Sequence, residues 1–287
     1  MVKLLNEKRR FFMLSNINDV TVLNNGVKMP WLGLGVWQVE DGSEVISSVK
    51  VAIKAGYRSI DTAAAYGNEE GVGKAIKESG IAREELFITT KLANDNHGYE
   101  NTLKAFEDSR RRLGMEYLDL YLIHWPGKDK YKETWRAFET LYKQGLIKAI
   151  GVSNFQIHHI ENLMDGASIV PAVNQVELHP LLLQKELRSF CKKHKIQLEA
   201  WSPLIHGNMD IPALVEIGKR HGKSPAQVIL RWDLQNEVVT IPKSVHENRI
   251  IENKDIFDFE LSADEMAKIE ALNRNKRYGP NPDNFIF

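Results

Sequence analysis

The sequence of 287 residues contains a single cysteine, Cys191, and no long uninterrupted run of apolar residues. A lone cysteine cannot form an intramolecular disulfide, which favours a reducing compartment such as the cytosol. No segment approaches the ~18 consecutive apolar residues that cross a bilayer. The apolar run 11–14 is too short for the core of a signal peptide. We therefore expect a cytoplasmic protein that does not enter a membrane.

An excess of charge of either sign is also missing. Lysine plus arginine and aspartate plus glutamate number 38 each, so the formal net charge is zero. Such a balance gives no attraction to nucleic acid or to an acidic membrane surface, and it favours a small-molecule partner. The pattern shows no obvious apolar surface patch, which favours a monomer. We interpret residues 1–17 as a disordered tail and residues 18–287 as one domain, because α/β barrels reach this length undivided.

Motifs for metals and for the common dinucleotide fold are absent. His158 and His159 are adjacent, which would place them on opposite flanks of a helix, and no paired cysteines exist, so no metal site is predicted. Gly33-Leu34-Gly35 lacks the third glycine of the dinucleotide fingerprint, and Gly71-Val72-Gly73 lies inside a helical pattern. Both are interpreted as packing glycines.

Short apolar segments alternate with amphipathic helical segments, which is typical of parallel βαβ units. A hairpin with its turn at Asn24-Asn25-Gly26 comes first. Eight candidate strands follow, which is the barrel count. They begin near Leu32, Ser59, Leu86, Leu118, Lys148, Ala172, Gln197 and Val238. Helices are predicted at 44–55, 68–79, 101–113 and 132–144, with additional ones at 224–235 and 262–273, the last opening on a capping-box pattern of Ser262 and Glu265.

Four polar residues, Asp61, Tyr66, Lys91 and His124, lie at or just past the ends of candidate strands, where barrel enzymes place their sites. Tyrosine has a pKa near ~10, and a neighbouring lysine would stabilise its phenolate. Asp61 can pair with Lys91, and His124 can share the Tyr66 hydroxyl or orient a substrate oxygen. Together they predict a proton-donating site for carbonyl reduction, although each residue alone is more often structural than catalytic.

The segments around these residues resemble the signatures of the aldo-keto reductase family, and the resemblance extends from about Val20 onward. It is carried by Gly56–Glu69, Thr89–Leu92, Leu122–Pro126, Gly151–Phe155, Asn174–Pro180 and Ile241–Val245. The resemblance implies an α/β fold, a (β/α)8 TIM barrel with an N-terminal β-hairpin and two accessory helices. It also implies reduction of aldehydes and ketones to alcohols. The bacterial members that are most alike are called glyoxal, methylglyoxal or 2,5-diketo-D-gluconate reductases.

The four catalytic candidates can donate a proton but not a hydride, so a cofactor is required. The resemblance implies NADPH, extended across the carboxyl-terminal face of the barrel. Lys243, Ser244 and Arg249 are suited to clasp a phosphate. The resemblance implies that this is the 2′-phosphate, which predicts NADPH over NADH. The full predicted cofactor set is Ser153, Asn154 and Gln175 at the carboxamide, Trp201 stacked on the nicotinamide, Glu252 and Asn253 at the adenine, and Ser202, Pro203, Leu204, Lys243, Ser244, Val245 and Arg249 in the two phosphate loops.

Trp37, Trp125 and His124 are the predicted substrate-binding residues. Both tryptophans follow strand ends, where an apolar wall would favour aldehydes of little charge, although either can instead serve packing. Short dicarbonyls such as methylglyoxal, keto sugars and aromatic aldehydes all fit. Two alternatives stay open: a catalytically idle barrel that senses NADPH would keep the same residues, and a metal-dependent hydrolase would need further His or Asp ligands at strand ends.

Overall fold

A computed structural model describes residues 14–127 and 130–285. An antiparallel hairpin, β1 (Val20–Val22) with β2 (Lys28–Pro30), precedes one parallel sheet of eight strands whose neighbours follow chain order. Its strands are β3 (Leu34–Gly35), β4 (Ser59–Asp61), β5 (Phe87–Leu92), β6 (Leu118–Ile123), β7 (Ile147–Ser153), β8 (Val173–Glu177), β9 (Gln197–Trp201) and β10 (Val239–Thr240). Strands β5 and β6 are buried along their whole length, as expected of strands covered on both faces.

Backbone pairing between the first and last strands closes the sheet. Leu32 pairs with Thr240 and Gly35 with Lys243, both in parallel register. The approach is close: a Cβ atom at position 35 would lie 2.9 Å from the Ile241 carbonyl oxygen, so glycine is required there. The fold is therefore a (β/α)8 TIM barrel preceded by a hairpin, and this prediction is confirmed.

Ten α-helices lie within the described residues. They are α1 (Ser43–Ala55), α2 (Glu69–Ser79), α3 (Tyr99–Leu113), α4 (Tyr131–Lys143), α5 (Ile157–Met164), α6 (Lys185–Lys193), α7 (Pro212–His221), α8 (Pro225–Gln235), α9 (Glu247–Lys254) and α10 (Ala263–Glu270). The predicted capping box is present, since Ser262 accepts from the Glu265 amide and Glu265 accepts from the Ser262 amide. Two helices are therefore additional to the eight barrel repeats.

The additional helix before β10 is α7, which the sequence did not predict. The predicted segment 224–235 does form a helix, α8, but α8 packs on β10 as a barrel helix does. Helix α7 contacts α8 and α10 instead. Its start at Pro212 follows helix rules, because proline is favoured in the first helical turn.

The prediction of a disordered tail over residues 1–17 is wrong for its last part, residues 14–17. Residues 1–13 lie outside the described part of the structure. Leu14 is buried, its carbonyl accepts a 3.0 Å hydrogen bond from Arg231 Nη1, and Ile17 packs against the core. The chain is therefore anchored on the barrel from Leu14 onward. No helix within the described ranges has the length and apolarity to cross a membrane.

Candidate active site

One cavity of about 1070 Å³ opens at the carboxyl-terminal end of the barrel strands. Every residue that the sequence proposed for the site, except Lys91, lines this cavity. These residues are Trp37, Asp61, Tyr66, His124, Trp125, Ser153, Asn154, Gln175, Trp201, Ser202, Pro203, Leu204, Lys243, Ser244, Val245, Arg249, Glu252 and Asn253. The eight strands thus bring together side chains that are almost 220 residues apart in the sequence.

Lys91 lies beneath the cavity floor and is completely buried. Its Nζ donates to Asp61 Oδ1 at 2.6 Å, to the Thr62 carbonyl at 2.9 Å and to the Tyr66 hydroxyl at 3.4 Å. Asp61 ends β4 and Lys91 lies on β5, so strand pairing sets their separation. The ammonium is therefore held between a carboxylate and a phenol, as the sequence predicted.

Burial and charge act against each other on these groups. Burial raises the pKa of Tyr66, and the nearby Lys91 charge opposes this rise without cancelling it. The sequence predicted the effect of the lysine but not the larger effect of burial. Burial also raises the pKa of Asp61 against the opposing charge of Lys91. Burial alone would lower the pKa of Lys91, but Asp61 raises it, so the lysine stays charged.

His124 follows β6 and faces Tyr66, with the two ring centroids 5.7 Å apart in an edge-to-face arrangement. Burial, assisted by the Lys91 charge, lowers the pKa of His124 to about 3. Its Nδ1 is buried and has no partner among the described residues. The ring is therefore neutral at physiological pH, and it can share a hydrogen bond but cannot act as a second cation.

The side chains predicted for the carboxamide end form a connected group. Ser153 Oγ donates to the Gln175 carbonyl at 2.9 Å, and Asn154 Nδ2 donates to the His124 carbonyl at 3.0 Å. Trp201 Nε1 donates to Asn154 Oδ1 at 2.9 Å, which fixes the indole at the end of β9. The plane of Trp201 is thus held by a hydrogen bond rather than by packing alone.

The loop after β10 carries cations that the protein does not neutralise. Neither the Lys243 nor the Arg249 side chain has a hydrogen bond or ion pair with another residue of the described ranges, and both are exposed. Ser244 is buried beside them and accepts from the His246 amide at 3.1 Å. Helix α9 begins at Glu247, directly after this loop, and both His246 and Arg249 line the cavity. This loop suits a phosphate.

The mouth of the cavity is aromatic. Trp125 is buried and packs against Phe285, with ring centroids 4.3 Å apart. Trp37 is 44% exposed and meets the edge of His206, which stacks on Tyr278. The sequence did not single out His206, because its packing depends on a loop and a terminus that meet only in the fold.

The last part of the described chain crosses the cavity as a strap, residues 277–285. Glu177, which ends β8, accepts the Tyr278 amide at 2.7 Å and the Gly279 amide at 3.2 Å, and it lies 3.6 Å from Arg277 Nη1. Burial would raise the pKa of Glu177, but hydrogen bonds from His179 and from the two amides lower it. An ionised carboxylate therefore holds the strap. The sequence did not single out Glu177.

The expectation that His158 and His159 point to opposite flanks is wrong. Their rings lie 4.0 Å apart, and both Nε2 atoms approach Asp283 Oδ1, at 3.3 and 3.9 Å. These three residues form the one group of possible metal ligands within the described ranges. His159 Nδ1, however, accepts the Gln156 amide at 3.1 Å, so the neutral ring carries its proton on Nε2. That tautomer opposes metal binding.

The cavity fits a nicotinamide dinucleotide. Its volume of about 1070 Å³ exceeds the ~300–1,000 Å³ of ordinary ligand pockets, which leaves room for a cofactor and a small second molecule. The side chains of Lys243 and Arg249, which have no partner within the described ranges, line it together with the fixed Trp201 indole. A ligand that carries both a phosphate and a planar ring matches this lining.

A closed barrel with a buried lysine–aspartate pair against a tyrosine hydroxyl defines a carbonyl-reducing oxidoreductase. The chain belongs to the aldo/keto reductase family, whose sequence profile matches residues 31–274. It is 66% identical over 276 residues to a protein named glyoxal reductase from Bacillus subtilis, covering 96% of this chain and 100% of that one. It is 50% identical over 271 residues to methylglyoxal reductase DkgA of Escherichia coli, covering 93% and 98%.

Solved structures agree with this assignment. A crystal structure of a Gox0644 variant in complex with NADPH superposes with a TM-score of 0.90 at 46% identity, covering 94% of this chain and 99% of that one. A Bombyx mori aldo-keto reductase in complex with NADP gives a TM-score of 0.87 at 36% identity, covering 92% and 96%. This protein is accordingly an NADPH-dependent oxidoreductase that reduces carbonyl groups.

Proposed function

We propose that the protein reduces short dicarbonyl compounds, with glyoxal and methylglyoxal as the leading examples, and that Tyr66 is the general acid. The hydrogen bond from Lys91 to the Tyr66 hydroxyl, with the His124 ring edge-to-face against the Tyr66 ring, carries this proposal. The names of the two curated relatives, glyoxal reductase and methylglyoxal reductase, support the substrate class. Keto sugars and aromatic aldehydes remain further candidates, because the mouth is aromatic.

When bound, NADPH supplies the hydride that adds to the carbonyl carbon. Tyr66 is protonated at neutral pH, as an ordinary tyrosine is, and burial raises its pKa further, so it holds a proton that it can donate to the carbonyl oxygen. Lys91 stabilises the phenolate that is left, and Asp61 keeps the ammonium in place. Neutral His124 orients the carbonyl oxygen. The phenolate then regains a proton from solvent, and the alcohol product leaves.

Residues that line the cavity would also orient the cofactor and the substrate relative to each other. Ser153, Asn154 and Gln175 would hold the carboxamide, and Trp201 would support one face of the nicotinamide ring. Lys243, Ser244 and Arg249 would bind the 2′-phosphate, with Val245, Glu252 and Asn253 along the adenosine and Ser202, Pro203 and Leu204 along the other phosphates. Trp37 and Trp125 would flank the substrate. Holding two reactants in this way supplies a large part of the rate.

We also propose that the protein works as a cytoplasmic monomer. Its single cysteine, Cys191, is buried and unpaired, which suits a reducing compartment. Only four large apolar residues of the described chain are strongly exposed, namely Val22, Trp37, Val170 and Ile251, and no two of them are adjacent in the sequence. Size-exclusion chromatography with light scattering tests this point, and a dimer mass would overturn it.

The test of function is the oxidation of NADPH, followed by absorbance, with methylglyoxal, glyoxal, a diketogluconate and a nitrobenzaldehyde. We expect turnover that falls by about 10²–10⁴-fold in Tyr66→Phe while NADPH affinity is kept. Tyr142→Phe is the matched control, because the Tyr142 ring packs on the core outside the cavity. Tight NADPH binding with no carbonyl reduced would favour a non-catalytic NADPH sensor instead.

A further inference from the structure

A second carboxyl group, Glu199, lies in the barrel interior behind the active site. Glu199 is the middle residue of β9 and is completely buried. Its Oε2 accepts a 2.8 Å hydrogen bond from Gln175 Nε2, and the same nitrogen donates to Asp61 Oδ2, also at 2.8 Å. Glu199 Oε1 has no partner within the described ranges. Glu199 is thus linked to the catalytic group through one amide.

This link determines which atom Gln175 presents to the cavity. A side-chain amide has two N–H donors on its nitrogen and one acceptor oxygen. Asp61 and Glu199 occupy both donors, so Oε1 is what remains for a ligand at the cavity surface, which Gln175 lines. An oxygen placed there accepts from an N–H group. Without Glu199, one donor would be unused and the amide would be free to turn.

The charges around Glu199 indicate its protonation state. The charged groups that face it are Asp61 on β4 and Lys91 on β5, whereas its neighbours on the adjoining strands, Gln175 and Val239, are uncharged. Two carboxyl groups therefore share one cation, and Lys91 lies 2.6 Å from Asp61. Burial raises the pKa of Glu199 to about 8, and the negative charge of Asp61 raises it as well. Glu199 is accordingly the protonated member at neutral pH.

We propose that Glu199 is a positioning residue for the reduction: its neutral carboxyl holds the Gln175 amide with its oxygen toward the cofactor, and loss of its proton weakens proton donation by Tyr66. This inference rests on the proposed function. Ionised Glu199 would place a second negative charge beneath the site, and that charge raises the pKa of Tyr66, which makes the phenol a weaker acid. It would also attract the cationic nicotinamide ring of NADP⁺ more than the neutral ring of NADPH.

The experiment compares wild type with Glu199→Gln, which keeps the shape and an acceptor oxygen but cannot ionise. We measure kcat for methylglyoxal from pH 5 to 10, and the dissociation constants of NADPH and NADP⁺ by protein fluorescence over the same range. In wild type, kcat should fall above about pH 8, and the ratio of the NADPH to the NADP⁺ dissociation constant should rise several-fold. In Glu199→Gln both changes should be lost, with neutral-pH kcat within about 10-fold of wild type.

Asp233→Asn is the matched control. Asp233 is also a fully buried carboxyl whose pKa burial raises, but it accepts from Thr240 Oγ1 at 2.9 Å and does not line the cavity. This variant should lower stability and keep the wild-type pH profiles. Glu199→Leu, which removes the acceptor, should raise the NADPH dissociation constant by about 2- to 10-fold, the range for one neutral hydrogen bond.

Two outcomes separate this inference from the proposed function. If Glu199→Gln and wild type have the same kcat profile and the same ratio of dissociation constants at every pH, Glu199 has no such role. If wild type reduces no carbonyl, the proposed function fails. The ratio of NADPH to NADP⁺ affinity then decides the role of Glu199 alone, because that ratio needs no turnover.

Discussion

Lys91 Nζ lies 2.6 Å from Asp61 Oδ1, and the surrounding barrel leaves 0% and 3% of these two side chains exposed. Removing one member of such a buried pair leaves an uncompensated charge, which costs about 3–5 kcal/mol. We predict that Lys91→Met and Asp61→Asn each lower the free energy of unfolding by that amount. The double variant should lose much less than the sum, because no unpaired charge remains. Urea unfolding of the four proteins measures this coupling.

A surface pair provides the comparison. Lys50 and Glu78 lie 3.2 Å apart with more than 40% of each side chain exposed, and such pairs contribute ~0–1 kcal/mol. Lys50→Met should therefore leave the free energy of unfolding nearly unchanged. If Lys91→Met costs no more than Lys50→Met, the buried pair does not stabilise the native barrel.

The sequence was sufficient to predict the barrel and the four catalytic candidates for a physical reason. Parallel strands end on one face, so polar residues directly after apolar runs, such as Asp61 and His124, must meet there. The sequence pattern does not show how deeply the fold buries each of these side chains. It predicted that Lys91 stabilises the Tyr66 phenolate but not that the loss of solvent has the larger effect on the pKa of Tyr66.

Contacts that depend on the tertiary arrangement of loops were missed. The Glu177 side chain accepts a hydrogen bond from the Tyr278 amide, 101 residues away in the sequence, and no local sequence pattern predicts that contact. Glu199 did leave a signal, since it is an acidic residue between Leu198 and Ala200 in a strand whose other polar residue, Gln197, lies at its start. A charged residue at an inward position of a buried strand indicates a polar partner inside the barrel, here Gln175.

The preference for NADPH should depend on Arg249. Its guanidinium has no partner in the described ranges and faces the cavity beside Lys243. A hydrogen bond to a charged group contributes about 1.5–3 kcal/mol, so Arg249→Ala should raise the NADPH dissociation constant by about 10- to 100-fold. The NADH dissociation constant should hardly change, because NADH has no 2′-phosphate. Fluorescence titration with both nucleotides measures the difference.

Arg220→Ala is the matched control for loss of an arginine. Arg220 lies on α7, pairs with Glu216 and is outside the cavity. Both affinities should stay at wild-type values in this variant. Equal weakening of NADPH and NADH in Arg249→Ala would contradict a specific contact with the 2′-phosphate.

Acid should destabilise the protein in part through His97. The ring is 6% exposed and contacts Thr134 Oγ1 at 3.1 Å and the Trp125 carbonyl at 3.2 Å. Burial lowers the pKa of His97 to about 4, against ~6.5 in an unfolded chain. The unfolded state therefore binds more protons between these values, so this contribution to stability is complete above about pH 6.5 and declines as the pH falls toward 4.

We predict that His97→Gln flattens the dependence of unfolding free energy on pH in that window. The slope from one proton is about 1.4 kcal/mol per pH unit, and the variant should lack it. Urea unfolding at half-unit steps between pH 4 and 7 gives both slopes. Parallel curves for the two proteins would show that His97 is not the group that titrates.

Gly279 lies against the Trp201 indole, and a Cβ atom at this position would overlap Cη2 and lie 3.3 Å from Glu177 Oε2. Gly279→Ala should therefore push the strap away from the site without straining its own backbone. We expect a several-fold higher KM for the carbonyl substrate with a smaller change in kcat. The reason is that the strap would line the substrate pocket without contacting the proton donor, Tyr66. Gly218 lies in α7, outside the cavity. A Cβ atom at this position would make a comparable overlap with the Lys223 carbonyl oxygen. Gly218→Ala should lower stability and leave KM unchanged. Equal KM values in wild type, Gly279→Ala and Gly218→Ala would exclude a role for the strap in substrate binding.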